Sequence, residues 1–460
     1  MAPPRITRVF GAVNIGSFRI SAIVAGMSEM GDMIVLGSGH RASQGIKRGY
    51  VTDMAAATYA VRDAIDRAEK MADTSVSKVW IGCSGAGLAS RIDQFDAEIG
   101  GRRIEQEDID QLLISAREVI QPDGRMVLHA QPAQYRLDGA HGVGNPKGLH
   151  AERLGVDIHI MLAEGAPIRN LTEAVQCAHL EVEAVVGSPI AAGQACLSPE
   201  ERDLGVALVE FGAEVTNVAV YSHGLLIDMI SIPMGSADIT DAVASAFGIR
   251  RFQAERLKCV NGSAIASPHD HRELIPVNAP GEEGTGPIAR HADDKNRIPR
   301  AELIGVITGQ LGILMEEINK ALKLMRFNAQ RGKQVVFTGG GAELVGLADY
   351  AQAALGKPVR IGRVPHLSGL AEAHVKPGFS TLAGLVLYAA ADPIDIRTFG
   401  KNRQGSVSYS GLGVVNRVYR ALREYFEHFA QPCNPCDGDG TIGWISRFRL
   451  WTTGPHALPR

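Results

Sequence analysis

One local pattern occurs twice in this 460-residue chain. Residues 8–26 read as two strands around a tight turn, with Val9, Ala12 and Val13 leading into Gly16-Ser17 and Ile20, Ala22, Ile23 and Val24 following. Residues 203–232 repeat the pattern: an apolar run to Phe211, a turn at Gly212, then strands over 215–221 and 225–232. A helical stripe follows each copy, over 54–71 (Ala57, Val61, Ala64, Ile65, Ala68) and over 239–247. A strand-turn-strand unit duplicated in this way constrains the chain to two similar α/β lobes, and its length suits them.

Between the copies lies a different unit. A strand over 78–84, a helix over 107–120 and strands over 125–132 and 156–162 form an αβ mixture that interrupts the first lobe. The predicted organisation is lobe 1 over 1–81 and 163–202, an inserted subdomain over 82–162, and lobe 2 over 203–391 with an outer part at about 247–330. Within lobe 2, residues 263–299 read as surface loop, 302–327 as a long helix, and 334–338 as a strand running into Gly339-Gly340-Gly341. A flexible linker is predicted over 392–411, an amphipathic helix over 412–429 and a tail over 430–460.

Composition excludes several classes. With 47 basic and 50 acidic residues, a net charge of −3 gives no electrostatic case for a nucleic-acid partner. Six cysteines in this length make no disulfide framework and fit a reducing compartment; Cys433 and Cys436 read as free thiols in the tail. No secretory signal is expected at the start, and no run approaches the roughly eighteen apolar residues of a spanning helix.

Two hairpins at corresponding places in duplicated lobes can aim their turn amides at a phosphate chain between them. A third Gly-rich turn lets a ligand ring approach the backbone, because no Cβ stands in the way. This is the arrangement of the actin fold. The motifs Val13-Asn14-Ile15-Gly16-Ser17-Phe18-Arg19, Val209-Glu210-Phe211-Gly212 and Val336-Phe337-Thr338-Gly339-Gly340-Gly341-Ala342-Glu343-Leu344 resemble the phosphate and adenosine motifs of the FtsA family. Phe379-Ser380-Thr381-Leu382-Ala383-Gly384 looks like that family's connecting helix, and the resemblance covers about residues 8–391. Val127 to Pro132, Tyr135 and Asn145-Pro146-Lys147-Gly148-Leu149 are similar to the subdomain that sets FtsA apart from other actin-like proteins.

The resemblance implies a two-lobed actin-like α/β fold of ribonuclease-H type, with ATP, weakly held, and magnesium as the associated ion. The implied nucleotide-binding residues are Asn14, Gly16, Ser17, Arg19, Glu210, Gly212, Gly235, Glu255, Lys258, Gly339, Gly340, Gly341 and Glu343. It further implies a non-enzymatic cell-division adaptor, with at most very weak ATP hydrolysis, on the cytoplasmic face of the inner membrane at the septum. The implied partners are the C-terminal tail of FtsZ (at about 247–330, by analogy), copies of the same chain in protofilaments, other divisome proteins and the membrane surface. The rivals are an ATP-hydrolysing actin-like assembly protein and an actin-like adaptor of pilus assembly.

The phosphate motifs depart from the family pattern. Asn14 stands where an acid is usual, and an amide is a poorer magnesium partner. Glu210 replaces Asp, and Ala213-Glu214-Val215 replace Gly-Gly-Thr, so a carboxylate stands beside the expected phosphates.

Residues 412–429 sort cleanly on a helix. Val414, Val415, Val418, Tyr419, Ala421, Leu422, Tyr425, Phe426 and Phe429 share one face, and Arg417, Arg420, Arg423, Glu424, Glu427 and His428 the other. An aromatic-rich face with three arginines after a linker suits the headgroup boundary. Trp444 and Trp451 offer a second interfacial contact or part of an open tail. Leu422→Glu combined with Phe426→Glu should abolish flotation of the chain with anionic liposomes; normal flotation of the double variant would count against this anchor.

Overall fold

The structure, a computed structural model, describes residues 5–85, 87–277, 297–327 and 333–398. The predicted helix over 412–429, Cys433, Cys436, Trp444 and Trp451 lie outside the described residues.

Lobe 1 opens with β1 (Ile6–Ile15), β2 (Arg19–Ser28) and β3 (Met33–Ala42), then a small hairpin of β4 (Ile46–Lys47) and β5 (Tyr50–Val51), α1 (Met54–Ala72) and β6 (Lys78–Cys83). The inserted unit holds β7 (Ala89–Glu98), α2 (Gln106–Val119), β8 (Met126–Leu137), β9 (Ala140–Val143) and β10 (Arg153–Ala163). Lobe 1 resumes with α3 (Gly165–Cys177), β11 (Glu181–Gly187) and α4 (Ser188–Cys196), and α5 (Pro199–Leu204) leads onward. Lobe 2 contains β12 (Val206–Phe211), β13 (Thr216–Ser222), β14 (Leu225–Ile232), α6 (Ser236–Phe247) and α7 (Arg251–Asn261). It continues through β15 (Leu274–Pro276), β16 (Arg297–Pro299), α8 (Arg300–Leu324), β17 (Val335–Thr338), α9 (Leu347–Leu355), β18 (Val359–Ile361) and α10 (Ser380–Ala391).

The duplication is visible in the sheets. Their orders are β3-β2-β1-β6-β11 and β14-β13-β12-β17-β18, so each lobe runs third, second, first, fourth, fifth strand. In both, the first three strands form an antiparallel meander and the last two add in parallel. Even the turns correspond: Gly16 N donates to Arg19 O at 3.3 Å, and Gly212 N to Val215 O at 3.0 Å. Asn14 and Glu210 are therefore equivalent positions, facing Ser21 and Asn217 across their hairpins.

Local chemistry accounts for these elements. β12 is buried on both faces, which is why it reads as an almost continuous apolar run. Asp53 starts α1 by accepting the Ala56 N–H at 3.0 Å. The helix then lays Ala57, Ala60, Val61, Ala64, Ile65 and Ala68 on the sheet. Gly39 on β3 admits it closely, since a Cβ there would stand 2.0 Å from Ala64 O.

The inserted unit branches off after the fourth strand of lobe 1, where lobe 2 has only the turn at Gly340–Glu343. β6 runs to Cys83, so the unit departs after residue 83, slightly beyond the predicted start at 82. Its antiparallel sheet β7-β10-β8-β9 carries Leu154, Val156, Ile158 and Ile160 at alternate positions, packed in one core with Ile109, Leu112, Leu113 and Ala116 of α2. Lobe joins lobe through α4 and α10. A Cβ at Gly384 would lie 1.7 Å from Ala191 O, so only glycine permits this crossing.

Two expectations need correction. The segment over 263–299 is tied down at both ends, because Ile275 of β15 and Ile298 of β16 pair and are buried. The linker does not begin at 392. Ile396 is fully buried in the core of the inserted unit, and its N–H donates to Ala130 O at 2.9 Å. Arg397 donates to Val127 O at 2.7 Å and closes on Asp395 at 2.6 Å. The packed chain thus continues past α10 and docks beside β8, because a buried apolar side chain and satisfied backbone groups favour order there. Ile396→Ala should cost about 2–5 kcal/mol and accelerate tryptic cleavage at Arg397; unchanged denaturation and cleavage would refute the docking.

Candidate functional site

The two equivalent hairpins face each other across a cavity of about 490 Å³, within the range of small-molecule sites. Asn14, Gly16, Ser17 and Arg19 line it from lobe 1. Glu210, Gly212, Glu255, Lys258, Gly339, Gly340, Gly341 and Glu343 line it from lobe 2. Of the residues expected from the sequence, Gly235 alone is not on the wall. It backs the second hairpin, where a Cβ would stand 2.3 Å from Ala213 O.

At one end, α7 presents Glu255 and Lys258, joined at 2.8 Å. Lys258 is buried and also donates to Ser236 O at 2.9 Å and to Thr240 Oγ1 at 2.8 Å. All three ammonium protons are thereby engaged, so Lys258 positions Glu255 rather than offering a free cation. Burial works against the Glu255 carboxylate, yet Lys258 together with hydrogen bonds from Thr240 and Cys259 outweighs it and holds the acid below its usual range. The three glycines differ in role. Gly339 and Gly341 are required by Phe211, whose carbonyl and ring a Cβ would meet at 2.5 Å, while Gly340 faces open space. A planar ring can therefore approach the backbone at Gly340. Arg19 lies over the Phe379 ring at 4.2 Å, where burial lowers its pKa. Beside it, His40 and His374 approach at 3.0 Å, and burial, His374 and Arg19 push His40 down to about 4.

The opposite end is where the structure goes beyond the sequence. Glu210 is buried, and both oxygens are taken: Oε1 accepts from Thr381 at 2.5 Å, and Oε2 from Ser188 at 2.5 Å and Asn217 at 2.9 Å. Asn217 also donates to Ser84 at 3.0 Å and accepts from Ser231 at 2.6 Å. Glu214 reaches across the cleft and accepts the Arg48 N–H at 2.6 Å, while Gly49 N donates to Ser17 Oγ at 3.3 Å. The small β4–β5 hairpin thus closes over both turns. Arg48, Gly49, Ser84, Ser188 and Asn217 were not singled out from the sequence, and Thr381 appeared there only within the connecting-helix motif; the glycine-bracketed Gly45-Ile46-Lys47-Arg48-Gly49 was the available signal for the hairpin.

The cleft fits a ring-bearing ligand with an anionic chain: open backbone at Gly340, a fixed carboxylate at Glu255, and the two facing hairpin turns that follow Gly16 and Gly212. The donor set does not fit magnesium. Asn14 offers an amide, Glu210 has no oxygen to spare, and Glu214 is turned to Arg48. Asn217→Ala should cost about 2–3 kcal/mol, because a buried carboxylate loses a donor, whereas Ser84→Ala at the rim should cost less than about 1 kcal/mol. Equal losses in chemical denaturation would contradict this ranking.

Comparison with known proteins agrees with these features. The profile described as "Cell division protein FtsA" matches residues 207–384, and that described as "SHS2 domain inserted in FTSA" matches residues 85–162. Cell division protein FtsA of Agrobacterium fabrum is 33% identical over 392 residues, 85% of this chain and 87% of that protein. The Rhizobium meliloti protein is 31% identical over 437 residues (92% and 96%), and that of Escherichia coli K12 29% over 377 residues (82% and 89%). Among solved structures, a PilM-PilN type IV pilus biogenesis complex aligns at TM-score 0.55 and 15% identity, covering 83% of this chain and 98% of that one. MreB 5 of Spiroplasma citri bound to AMPPNP aligns at TM-score 0.50 and 14% identity, covering 88% and 100%. Those two likenesses establish the actin-like fold. With relatives above 30% identity over most of its length and both family profiles matched, the chain belongs to the FtsA family of cell division proteins.

Proposed function

We propose that this member of the FtsA family is an adaptor that ties FtsZ filaments to the cytoplasmic face of the membrane at the division septum. The observation that carries the reading is the inserted unit, whose sheet and helix fold on their own core where lobe 2 has a mere turn. A surface added to a duplicated core without altering its cleft is what an adaptor needs, since it recognises partners without serving chemistry at the cleft. Residues 412–429 supply the membrane contact in this reading, and copies of the core pair into protofilaments.

The cleft is proposed to hold an adenosine nucleotide as a brace. Gly340 and Glu255, the latter fixed by Lys258, would take the nucleoside, and the turns at Gly16-Ser17 and Gly212 would take phosphate oxygens. A bound nucleotide would add contacts to both lobes at once and so stabilise their closed arrangement. Turnover is expected to be negligible. Phosphoryl transfer needs preorganised charge at the terminal phosphate, and the acid best placed to organise it, Glu210, is consumed by Ser188, Asn217 and Thr381.

Titration of a labelled peptide copying the FtsZ C-terminus into the full chain should give a saturable signal. Folded protein that shows no saturation at any attainable concentration would refute the adaptor reading.

A further inference from the structure

The cleft contains an anion of its own where a nucleotide's last phosphate would add one. Glu214 sits on the turn of the second hairpin, lines the cavity, and reaches the opposite lobe through a bond of 2.6 Å to the Arg48 N–H. A backbone N–H given to a carboxylate makes a charge-assisted bond. The neighbouring Gly49 N–H is spent on Ser17 Oγ, and the Arg48 guanidinium lies 4.0 Å from Asp238. The backbone donors that the β4–β5 hairpin directs at this end are therefore already occupied by the protein's own acceptors.

Charge balance points the same way. The cavity wall carries three cations, Arg19, Lys258 and Lys376, against four carboxylates, Glu210, Glu214, Glu255 and Glu343. Lys258 is committed to Glu255 at 2.8 Å, Lys376 lies 3.7 Å from Glu343, and Arg19 is stacked on Phe379. Stacking leaves the Arg19 guanidinium its charge and its N–H donors, but carboxylates outnumber cations on the wall, and a terminal phosphate at the second turn would approach Glu214. Each added charge on the ligand is repelled more strongly inside a partly dry cleft than in water.

We propose that Glu214 stands in for the terminal phosphate of a nucleotide: it joins the two lobes through the Arg48 amide and makes the cleft select a nucleoside diphosphate over the triphosphate. This rests on the reading of the cleft as a nucleotide site. Glu214 is a specificity-determining residue here, and lobe closure at this end does not require a triphosphate. The glycines usual at 213 and 214 would leave the Arg48 amide free for ligand phosphate; Ala213 and Glu214 do not.

Calorimetric titration of the full chain, stripped of nucleotide, with ADP and with ATP tests the proposal, each with EDTA and with magnesium, for the wild type and for Glu214→Gln. Wild type should bind ADP at least about tenfold tighter than ATP, and Glu214→Gln should close most of that gap by tightening ATP while leaving ADP within about twofold. Wild type that binds ATP as tightly as ADP overturns the proposal while the cleft remains a nucleotide site, and this arm needs no variant to fold. A preference for ADP that persists in folded Glu214→Gln removes Glu214 as its cause. A magnesium-dependent preference for ATP that Glu214→Gln abolishes would make Glu214 a metal partner instead, and likewise sinks the idea. Binding of neither nucleotide overturns the site reading itself and the inference with it.

Discussion

The buried Glu210 carboxylate is the interaction on which the rest of the cleft depends. Removing a carboxylate from water is costly unless each oxygen is given donors. Here the donors come from three separate elements: Ser188 begins α4, Asn217 lies on β13, and Thr381 lies in the first turn of α10. Satisfying one charge thus fixes both interlobe helices against the hairpin that carries it. The near-contact of Gly384 with Ala191 follows, since those same helices are drawn to a crossing only glycine allows. A further strand, β6, is tied in through Ser84 just beyond its end, which accepts from Asn217.

The equivalence of the two lobes makes the asymmetry of the site informative. Asn14 and Glu210 occupy matching places in matching sheets, yet one is a neutral amide and the other an engaged carboxylate. Two free acids facing one cleft would organise a metal ion; an amide opposite a consumed acid does not. The same substitution of structure for ligand recurs at Glu214, which spans the lobes itself. On this reading the chain has moved the work of holding its lobes together from a bound triphosphate to its own side chains.

Much of this was legible in the sequence, for identifiable reasons. The duplication was readable because Gly16 and Gly212 punctuate apolar runs at matching distances, and α1 because its alanines recur at helical spacing. The glycine-rich end of the cleft was readable because Gly339 to Gly341 follow directly on the end of a strand. β7 escaped notice: its residues are half-exposed on both faces, so Ala89–Glu98 shows no buried stripe. The docking of Ile396 was hidden because Pro393 follows a helix end and a single apolar residue carries no periodicity; its partner core lies more than 200 residues away along the chain. The ring of donors around Glu210 was hidden for the same reason. Ser188 and Asn217 are small polar residues of no local pattern, the motif that holds Thr381 does not say what its hydroxyl meets, and only the fold makes the three neighbours.

The central claim is that the lobes are bridged without a triphosphate. Amide hydrogen exchange at Arg48 in nucleotide-free protein tests it most directly, because that N–H is the donor to Glu214. Exchange slowed at least about tenfold relative to an unstructured chain, and unchanged when ATP is added, is the predicted result. Exchange at the unstructured rate until ATP is supplied would contradict it.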